Sequence, residues 1–243
     1  MNDGLRTLVI LPCYNEQHSI GGVLDEVAAA GFECDTLVVD DGSQDKTYEV
    51  ARAKSFCVRL SSNLGIGGAV QTGFKYGVRR DYNVCIQIDG DGQHPPDQIQ
   101  ILLEKYTATG ANIVIGSRYL LNDTFRSTRL RRAGSVVIAA VMKVLFGGLR
   151  VTDPTSGMRL MDQKAMRLFA LNYPADFPEP ISLAWAACRG LRIKEVPVQM
   201  RARTHGRSSI LGIGSVAYMI RVLGYMILAR LTMRPFRQEE SLW

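Results

Sequence analysis

The stretch Val84-Cys85-Ile86-Gln87-Ile88-Asp89-Gly90-Asp91-Gly92-Gln93-His94 places two aspartates, separated by one glycine, directly after an apolar run typical of a β-strand. Side chains two positions apart on an extended segment point the same way, so both carboxylates can face one hard cation such as Mg²⁺ or Mn²⁺. The glycines allow a bulky ligand to approach the backbone. An Asp-Gly turn between strands explains this stretch equally well when it is considered alone.

The first half of the chain alternates between strand-like and helical patterns. The strand-like runs are Thr7–Leu11, Thr36–Asp40, Phe56–Leu60 and Val84–Asp89, and the helical segments are Ile20–Ala29, Asp45–Ala53, Gly68–Val78 and Pro96–Thr107. A further strand-like run is Ile113–Gly116. This order predicts an α/β fold with a mostly parallel sheet that helices cover on both faces.

Polar residues follow three of the predicted strands. They are Tyr14-Asn15-Glu16, Asp40-Asp41-Gly42-Ser43 and Asp89-Gly90-Asp91. Each group alone is compatible with helix capping, because Asn, Asp and Ser all serve as N-caps. Ligands of parallel sheets bind outside the carboxyl ends of the strands, so the three groups together predict a single crevice at that edge.

Composition is compatible with one large domain. The chain has 243 residues, and 47% of them are hydrophobic, which is enough to bury a core. We predict a catalytic domain over residues 1–209 and an apolar helix and tail over residues 210–243. The five cysteines lie singly in or beside apolar runs, which is typical of buried thiols in a reducing compartment. No signal-peptide pattern opens the chain, so we expect a cytoplasmic protein.

The net charge of +6 is unevenly distributed. Between residues 118 and 159 the only acids are Asp123 and Asp153, and the arginines there are Arg118, Arg126, Arg129, Arg131, Arg132, Arg150 and Arg159. Guanidinium groups bind phosphates bidentately, so this cluster suits a phosphorylated ligand or a lipid headgroup. A solvated basic face is the alternative. Nucleic acid is disfavoured because the cluster has no interleaved aromatic residues and no recognisable binding module.

Two apolar segments, Ser135–Leu149 and Ile210–Met233, follow the alternating region. The second is long enough to span a bilayer, but Arg221 would then lie near the middle at a cost of about 3 kcal/mol. We therefore expect this segment to lie on a membrane surface, with arginine stems reaching the headgroups. Packing in the protein core or in a homodimer interface is the alternative.

The three strand-end groups, together with Gly116-Ser117-Arg118-Tyr119 and the run from Asp153 to Arg159, resemble glycosyltransferase family 2. The similarity extends from Leu8 to about Met233, and the pattern is closest to the branch of dolichol-phosphate mannose synthases and bacterial polyprenyl-phosphate glycosyltransferases. This resemblance implies a GT-A-type fold and a nucleotide-diphosphate-sugar donor.

The resemblance also implies roles for the residues at the strand ends. Donor binding would involve Pro12, Tyr14, Glu16, Asp40, Asp41, Gly67 and Asp89. Asp89, Asp91 and Gln93 would hold Mg²⁺ or Mn²⁺. Gly67 belongs to the run Asn63–Ala69, which in this family opens a helix beside the nucleotide. That run is not a dinucleotide fingerprint, because Val70 occupies the third glycine position and the loop follows the third strand.

The resemblance places phosphate contacts on the basic segments. The expected catalytic residues are Asp91, Arg118, Arg131 and Glu179, and the expected acceptor-phosphate residues are Arg131, Arg132, Arg203, Arg207 and Ser208. In the loop from Arg203 to Ser209, Ser209 replaces the lysine of the family pattern. We expect Arg159 to be structural and to pair with a buried carboxylate such as Asp153.

The expected activity is inverting sugar transfer to a polyprenyl phosphate at the cytoplasmic membrane surface of a bacterium or archaeon, in cell-envelope glycan synthesis. One alternative is transfer to a glycan hydroxyl with Glu179 as general base. A second alternative is a non-catalytic nucleotide-binding scaffold. The base and sugar of the donor stay open, as do a homo-oligomer and a small membrane-protein partner.

Overall fold

The computed structural model describes residues 4–120, 129–201 and 214–233, apart from the side chains of residues 129–131 and 214–216. The strands are β1 (Thr7–Cys13), β2 (Asp35–Asp40), β3 (Phe56–Arg59), β4 (Val84–Gln87), β5 (Ile113–Ser117), β6 (Arg159–Asp162) and β7 (Ile193–Pro197). The helices are α1 (Ile20–Ala29), α2 (Thr47–Arg52), α3 (Gly65–Arg79), α4 (Ile99–Thr109), α5 (Arg129–Leu145), α6 (Gln163–Leu171), α7 (Pro178–Cys188) and α8 (Gly214–Thr232).

All seven of these strands form one sheet in the order β3-β2-β1-β4-β6-β5-β7. Strand β6 runs antiparallel to both of its neighbours, and the other pairings are parallel. β1 and β4 are buried along their whole lengths and are almost entirely apolar, as expected for strands that helices cover on both faces. The predicted α/β fold with a mostly parallel sheet is confirmed.

Two hydrophobic clusters lie on opposite faces of the sheet. One includes Val70 and Phe74 of α3 with apolar residues of α5, α6, α7 and α8, and the other joins α1 and α4 to the sheet. Within α3 the buried positions recur at helical spacing, so one stripe of the helix faces the sheet. The residues that follow β1, β2 and β4 lie in loops at the carboxyl ends of these strands.

Helix α8 packs against α5 and α7. Val222, Met226 and Ala229 form its buried stripe, and the Nε of Arg230 donates a hydrogen bond of 2.9 Å to the carbonyl of Leu145 at the end of α5. Among the described helices, none combines the length and hydropathy needed to cross a bilayer. The first part of the predicted apolar run, residues 210–213, lies outside the described residues.

The sequence pattern predicted neither β6 nor β7. β6 has four residues and passes directly into α6, and β7 is an edge strand with one buried residue among five, so neither shows a clear alternation. Helix α3 also begins at Gly65 and not at Gly68, and Pro96–Gln98 forms a separate 3₁₀ turn before α4.

Candidate active site

The three polar strand ends lie side by side, as predicted. β1 pairs with β2 on one side and with β4 on the other. The N–H of Asp41 donates to the carbonyl of Cys13 at 2.8 Å, and the N–H of Ile88 donates to the carbonyl of Ile10 at 3.1 Å. Backbone pairing therefore continues to the point where each loop leaves the sheet, which fixes the loops relative to one another.

The loop after β1 is tied to the loop after β2. Asn15 adopts a left-handed conformation with φ 56°, its N–H donates to Ser43 Oγ, and its Oδ1 accepts from the N–H of Gln44. The N–H of Glu16 donates to Thr47 Oγ1 at 2.7 Å. Tyr14 projects from this loop and is 43% exposed, so its ring is accessible to a ligand.

The predicted donor residues of the first loop differ in exposure. Pro12 is buried within β1, where it pairs with Val39. The carboxylate of Glu16 is partly exposed and accepts a hydrogen bond of 2.8 Å from Ser19 Oγ. In this group Tyr14 and Glu16 are thus the side chains with accessible surface.

Asp40 and Asp41 are both buried and contact neighbouring loops, and their predicted contacts with the donor stay a prediction. Asp40 has no exposed surface, its Oδ1 accepts from the N–H of Ser43, and its Oδ2 lies 3.2 Å from Arg59 Nε. Asp41 is 3% exposed and accepts from the N–H of Leu64 at the start of α3, at 2.7 Å. Burial raises the pKa of Asp41, and the backbone N–H groups oppose that shift. Both carboxylates hold loops in place here.

Gly67 packs against another loop. A Cβ at this position would overlap the carbonyl oxygen of Pro174 and would lie 2.8 Å from the Cα of Ala175. The glycine is therefore required for the close approach of α3 to the segment before α7. Close approach to a nucleotide is not needed to explain it.

The two aspartates of the central motif lie in a turn that begins just after β4. Asp89 is partly exposed, whereas Asp91 is 4% exposed and its Oδ1 accepts from the N–H of Gln93 at 2.9 Å. A Cβ at Gly90 would overlap Cys13 Sγ, so only glycine fits between the aspartates. The segment is a turn packed on β1 and not the extended run that the alternation predicted.

Gln93 faces the segment that follows β7. Its Nε2 donates to the carbonyl of Arg201 at 3.4 Å, and the N–H of Arg201 donates to the carbonyl of Gln93 at 2.9 Å. The amide oxygen of Gln93 is the atom that would bind a cation, because hard cations take oxygen ligands.

His94 is buried against the same turn. Its side chain is 1% exposed, and its Nδ1 lies 3.3 Å from both the backbone nitrogen and the Oδ2 of Asp89. Burial lowers the pKa of His94 to about 4, although the charge of Asp91 opposes the shift. The imidazole is therefore neutral at pH 7.

The predicted pairing of Asp153 with Arg159 is wrong. Asp153 accepts from Nε and Nη2 of Arg118 at 2.6 Å and 2.7 Å, and Arg118 Nη2 also donates to Thr155 Oγ1. Burial alone would lower the pKa of Arg118, but the charge and hydrogen bonds of Asp153 outweigh it and raise the pKa. Arg118 is thus held beside the loop before β6, and its predicted phosphate contact stays a prediction.

Arg159 is buried and supports the same loop from inside. It donates to the carbonyls of Ser156 and Pro154 and to Ser182 Oγ, at 2.8 to 2.9 Å. Burial lowers its pKa, and Glu179 is among the nearby groups that oppose the shift. The predicted structural role of Arg159 agrees with these contacts, although its acceptors are carbonyls and a hydroxyl.

Glu179 lies in the first turn of α7, where the charge of Arg159 acts on it. Burial raises its pKa, Arg159 and Arg118 lower it, and Asp89 raises it. The charges of Arg159, Asp89 and Arg118 all act on Glu179. Its predicted role beside the acceptor stays a prediction.

The predicted acceptor-phosphate residues are only partly described. Arg132 is exposed, and its guanidinium lies 5.7 Å from the centre of the Tyr119 ring, which Arg118 also approaches at 5.4 Å. Two cations therefore meet at one aromatic ring. The side chain of Arg131 and the residues Arg203, Arg207 and Ser208 lie outside the described part of the chain.

Two further residues shape the site through contacts that the sequence did not predict. A Cβ at Gly157 would lie 2.9 Å and 3.0 Å from the two carboxylate oxygens of Asp89, so glycine lets this loop reach the motif. Glu195 of β7 accepts from the backbone N–H groups of Thr152 and Asp153, at 2.7 Å and 2.9 Å. Gly157 belongs to the run from Asp153 to Arg159 that carries part of the family resemblance, but its packing against Asp89 has no signature in a single sequence. The same holds for the contacts of Glu195 in an edge strand.

The side chains present suit a cation that is bound partly by the substrate better than one that is bound by protein groups alone. Within the described ranges, no three His, Cys, Asp or Glu side chains are grouped to hold a metal ion. Mg²⁺ is commonly bound by one or two carboxylates, with substrate phosphates and water completing its shell. Asp89 and Asp91 are two carboxylates in one turn and so match this mode in number and type; their role as metal ligands stays a prediction.

Comparison with known proteins gives a family and two similar proteins. The model of glycosyl transferase family 2 matches residues 8–169. A polyprenol monophosphomannose synthase from Mycolicibacterium smegmatis is 32% identical over 236 residues, covering 93% of this chain and 89% of the relative. An undecaprenyl-phosphate mannosyltransferase from Micrococcus luteus is 32% identical over 222 residues, covering 86% of this chain and 88% of the relative.

A solved structure shares the fold. Glucosyl-3-phosphoglycerate synthase from Mycobacterium tuberculosis, in complex with Mn²⁺, uridine diphosphate and phosphoglyceric acid, superposes with a TM-score of 0.71. It is 21% identical, and the match covers 95% of this chain and 80% of that one. The expected GT-A-type architecture is confirmed.

Proposed function

The chain belongs to glycosyl transferase family 2, and on that basis we propose that it transfers a sugar from a nucleotide-diphosphate-sugar to a polyprenyl phosphate. The observation that carries the proposal is the similarity to polyprenol monophosphomannose synthase over 93% of the chain. The undecaprenyl-phosphate mannosyltransferase supports the same acceptor class. Hydroxyl transfer and a non-catalytic scaffold are not favoured by these relatives.

In the proposed reaction an oxygen of the lipid phosphate attacks the anomeric carbon from the side opposite the diphosphate. A new carbon–oxygen bond forms as the bond to the diphosphate breaks, and the nucleoside diphosphate leaves with the electron pair. The configuration at the anomeric carbon is therefore inverted. The phosphate oxygen is already ionised at pH 7, so no general base is required.

The donor would lie at the carboxyl edge of β1, β2 and β4. Tyr14 offers an exposed ring for the nucleoside, and Asp89 and Asp91 would hold Mg²⁺ or Mn²⁺ with the Gln93 amide oxygen. When bound, the cation neutralises charge on the departing diphosphate. Catalysis by the chain itself would then rest on orienting donor and acceptor.

The acceptor phosphate would approach from the side of Arg132. The cations at the Tyr119 ring supply positive charge there, and Arg131, Arg203, Arg207 and Ser208 are proposed to add contacts. Glu179 would orient groups at the acceptor side instead of removing a proton.

We also propose a peripheral position at the cytoplasmic face of a bacterial or archaeal membrane; exposed apolar residues support the peripheral part of this proposal. Val136 and Val144 of α5 are 59% and 81% exposed, and Ile220 and Leu231 of α8 are 67% and 78% exposed. Arg221 and Arg230 of α8 are also exposed, so charged heads can reach lipid headgroups while the apolar side chains enter the acyl boundary.

A panel of donors assayed with undecaprenyl phosphate tests the proposal. The purified protein is incubated with UDP- or GDP-sugars and Mn²⁺ or Mg²⁺, and lipid products are identified by mass spectrometry. We expect one donor to yield undecaprenyl phosphate that carries the sugar. Transfer to glycan hydroxyls without any lipid product would overturn the proposed acceptor, and nucleotide binding without turnover would favour the scaffold.

A further inference from the structure

His94 lies against the two-aspartate turn but is not among the residues proposed to touch the donor. Its side chain is 1% exposed. Nδ1 lies 3.3 Å from the backbone nitrogen of Asp89 and 3.3 Å from Asp89 Oδ2. One ring atom thus contacts both the backbone and the carboxylate of a proposed metal ligand.

The imidazole can hold Asp89 in two ways, and both use Nδ1. With the ring proton on Nε2, Nδ1 accepts the N–H of Asp89. With the proton on Nδ1, that ring nitrogen lies 3.3 Å from the acceptor Asp89 Oδ2. Nε2 is buried and has no hydrogen-bond partner among the residues that the structure describes. The imidazole therefore contacts Asp89 through Nδ1.

The two aspartates depend on different supports. Asp91 Oδ1 accepts from the N–H of Gln93 within the turn itself. Asp89 has Gly157 packed close to its carboxylate, and His94 supplies a polar contact. The two short contacts of Nδ1 are both with Asp89, so loss of the imidazole removes a direct contact of that residue.

We propose that His94 is a positioning residue that holds the Asp89 carboxylate in the orientation required for a divalent cation. This inference rests on the proposed function, because it assumes that Asp89 binds the cation. Groups that hydrogen-bond a metal-binding side chain typically contribute about 10-fold to 100-fold in metal affinity. His94 would act in this way without contacting the cation itself.

Three substitutions separate the two ring nitrogens. His94→Asn places a polar atom near the position of Nδ1, His94→Gln places one near Nε2, and His94→Leu removes both. Mn²⁺ binding is measured by calorimetry in the presence of GDP and, in parallel, of UDP. We expect His94→Leu and His94→Gln to weaken Mn²⁺ binding by about 10-fold or more, and His94→Asn to stay within about threefold of the wild type.

A core substitution controls for general loss of stability. Phe169 is 2% exposed and belongs to the hydrophobic cluster that includes α3, on the other face of the sheet from Cys13 and Ile20, which lie beside Gly90. Phe169→Leu should therefore lower the melting temperature without contacting the turn that holds Asp89 and Asp91. Equal weakening of Mn²⁺ binding by Phe169→Leu and His94→Leu would overturn the positioning role. So would unchanged binding in His94→Leu, or failure of His94→Asn to restore it.

The same titration separates this inference from the function on which it rests. A wild-type protein that binds neither nucleotide more tightly with Mn²⁺ would contradict the proposed metal site, and with it the role of His94. A wild-type protein that shows Mn²⁺-dependent nucleotide binding, unchanged in His94→Leu, would contradict only the positioning role.

Discussion

Gly157 sets how closely the loop before β6 approaches Asp89. A side chain at this position would lie 2.9 Å and 3.0 Å from the two carboxylate oxygens, a separation that real Cβ atoms rarely show. Because the loop is also held by Arg118 and Arg159, it cannot retreat freely. A side chain at residue 157 would therefore push the Asp89 carboxylate into another orientation.

We predict that Gly157→Ala raises the Mn²⁺ concentration needed for half-maximal activity by about 10-fold, because the Asp89 carboxylate must move. Steady-state kinetics at varied Mn²⁺ measures the change. Gly22→Ala is the matched control: no atom lies within 4 Å of its Cβ position, and alanine is preferred to glycine in helix α1. A wild-type Mn²⁺ response in Gly157→Ala would refute the packing argument.

Substitution of Glu179 distinguishes transfer to a lipid phosphate, which needs no general base, from transfer to a glycan hydroxyl, which needs one. We predict that Glu179→Gln keeps activity toward undecaprenyl phosphate within about threefold, since the attacking oxygen is already ionised. Loss of a general base would cost about 10²-fold to 10⁴-fold. A loss of that size, measured as kcat/KM with the lipid acceptor, would show that Glu179 removes a proton.

The sequence predicted the strand-end residues better than their partners. Asp89 and Asp91 could be found because their spacing and position after an apolar run are local features. The partner of Asp153 could not, since Arg118 lies 35 residues earlier and is brought to it by the pairing of β5 with β6. Tertiary contacts of this kind have no signature in one sequence.

At the scale of elements, Arg159 links the loop before β6 to α7. Its three acceptors include two loop carbonyls and Ser182 Oγ, and Ser182 Oγ also donates to the carbonyl of Glu179 at 3.1 Å. The guanidinium is buried, so a lost partner would not be replaced freely by water.

Ser182→Ala should therefore destabilise the protein by about 2 kcal/mol, because a buried charged donor loses one acceptor. Urea unfolding measures the change. The comparison is Ser55→Ala, whose hydroxyl donates to the Ala51 carbonyl at 3.3 Å at a partly exposed position; its effect should stay within about 0.5 kcal/mol. Equal effects of the two substitutions would contradict the proposed link.

The elements that could be predicted were those with continuous apolar patterns. β1, β2, β3, β4 and β5 were predicted because each carries an apolar or β-rich run. β6 and β7 were missed because their pairing, and not their composition, makes them strands: β6 lies antiparallel between β4 and β5. β6 and β7 therefore depend on tertiary pairing, whereas the other five strands can be predicted from local sequence.

At the scale of the whole molecule, α5 and α8 present apolar side chains to solvent. The sequence predicted the two apolar segments, but which residues stay exposed depends on how α8 packs against α5 and α7. Exposed valines, isoleucine and leucine on two adjacent helices suit a lipid surface.

We predict that the double variant Ile220→Asp and Leu231→Asp binds vesicles of anionic lipid about 10-fold or more weakly than the wild type, since charged side chains replace exposed apolar ones that would enter the acyl boundary. Co-sedimentation measures binding. Phe56→Asp is the control, because Phe56 is 55% exposed but lies on edge strand β3, away from these helices. Equal losses in the two proteins would argue against an α5–α8 membrane surface.

The central claim is that Asp89 and Asp91 hold a divalent cation on the donor diphosphate. The most direct test is sugar transfer to undecaprenyl phosphate by the wild type, by the wild type with EDTA, and by Asp91→Asn. We predict that EDTA abolishes transfer, that added Mn²⁺ or Mg²⁺ restores it, and that Asp91→Asn lowers kcat/KM by about 100-fold or more. Transfer that persists in EDTA and in Asp91→Asn would contradict the account.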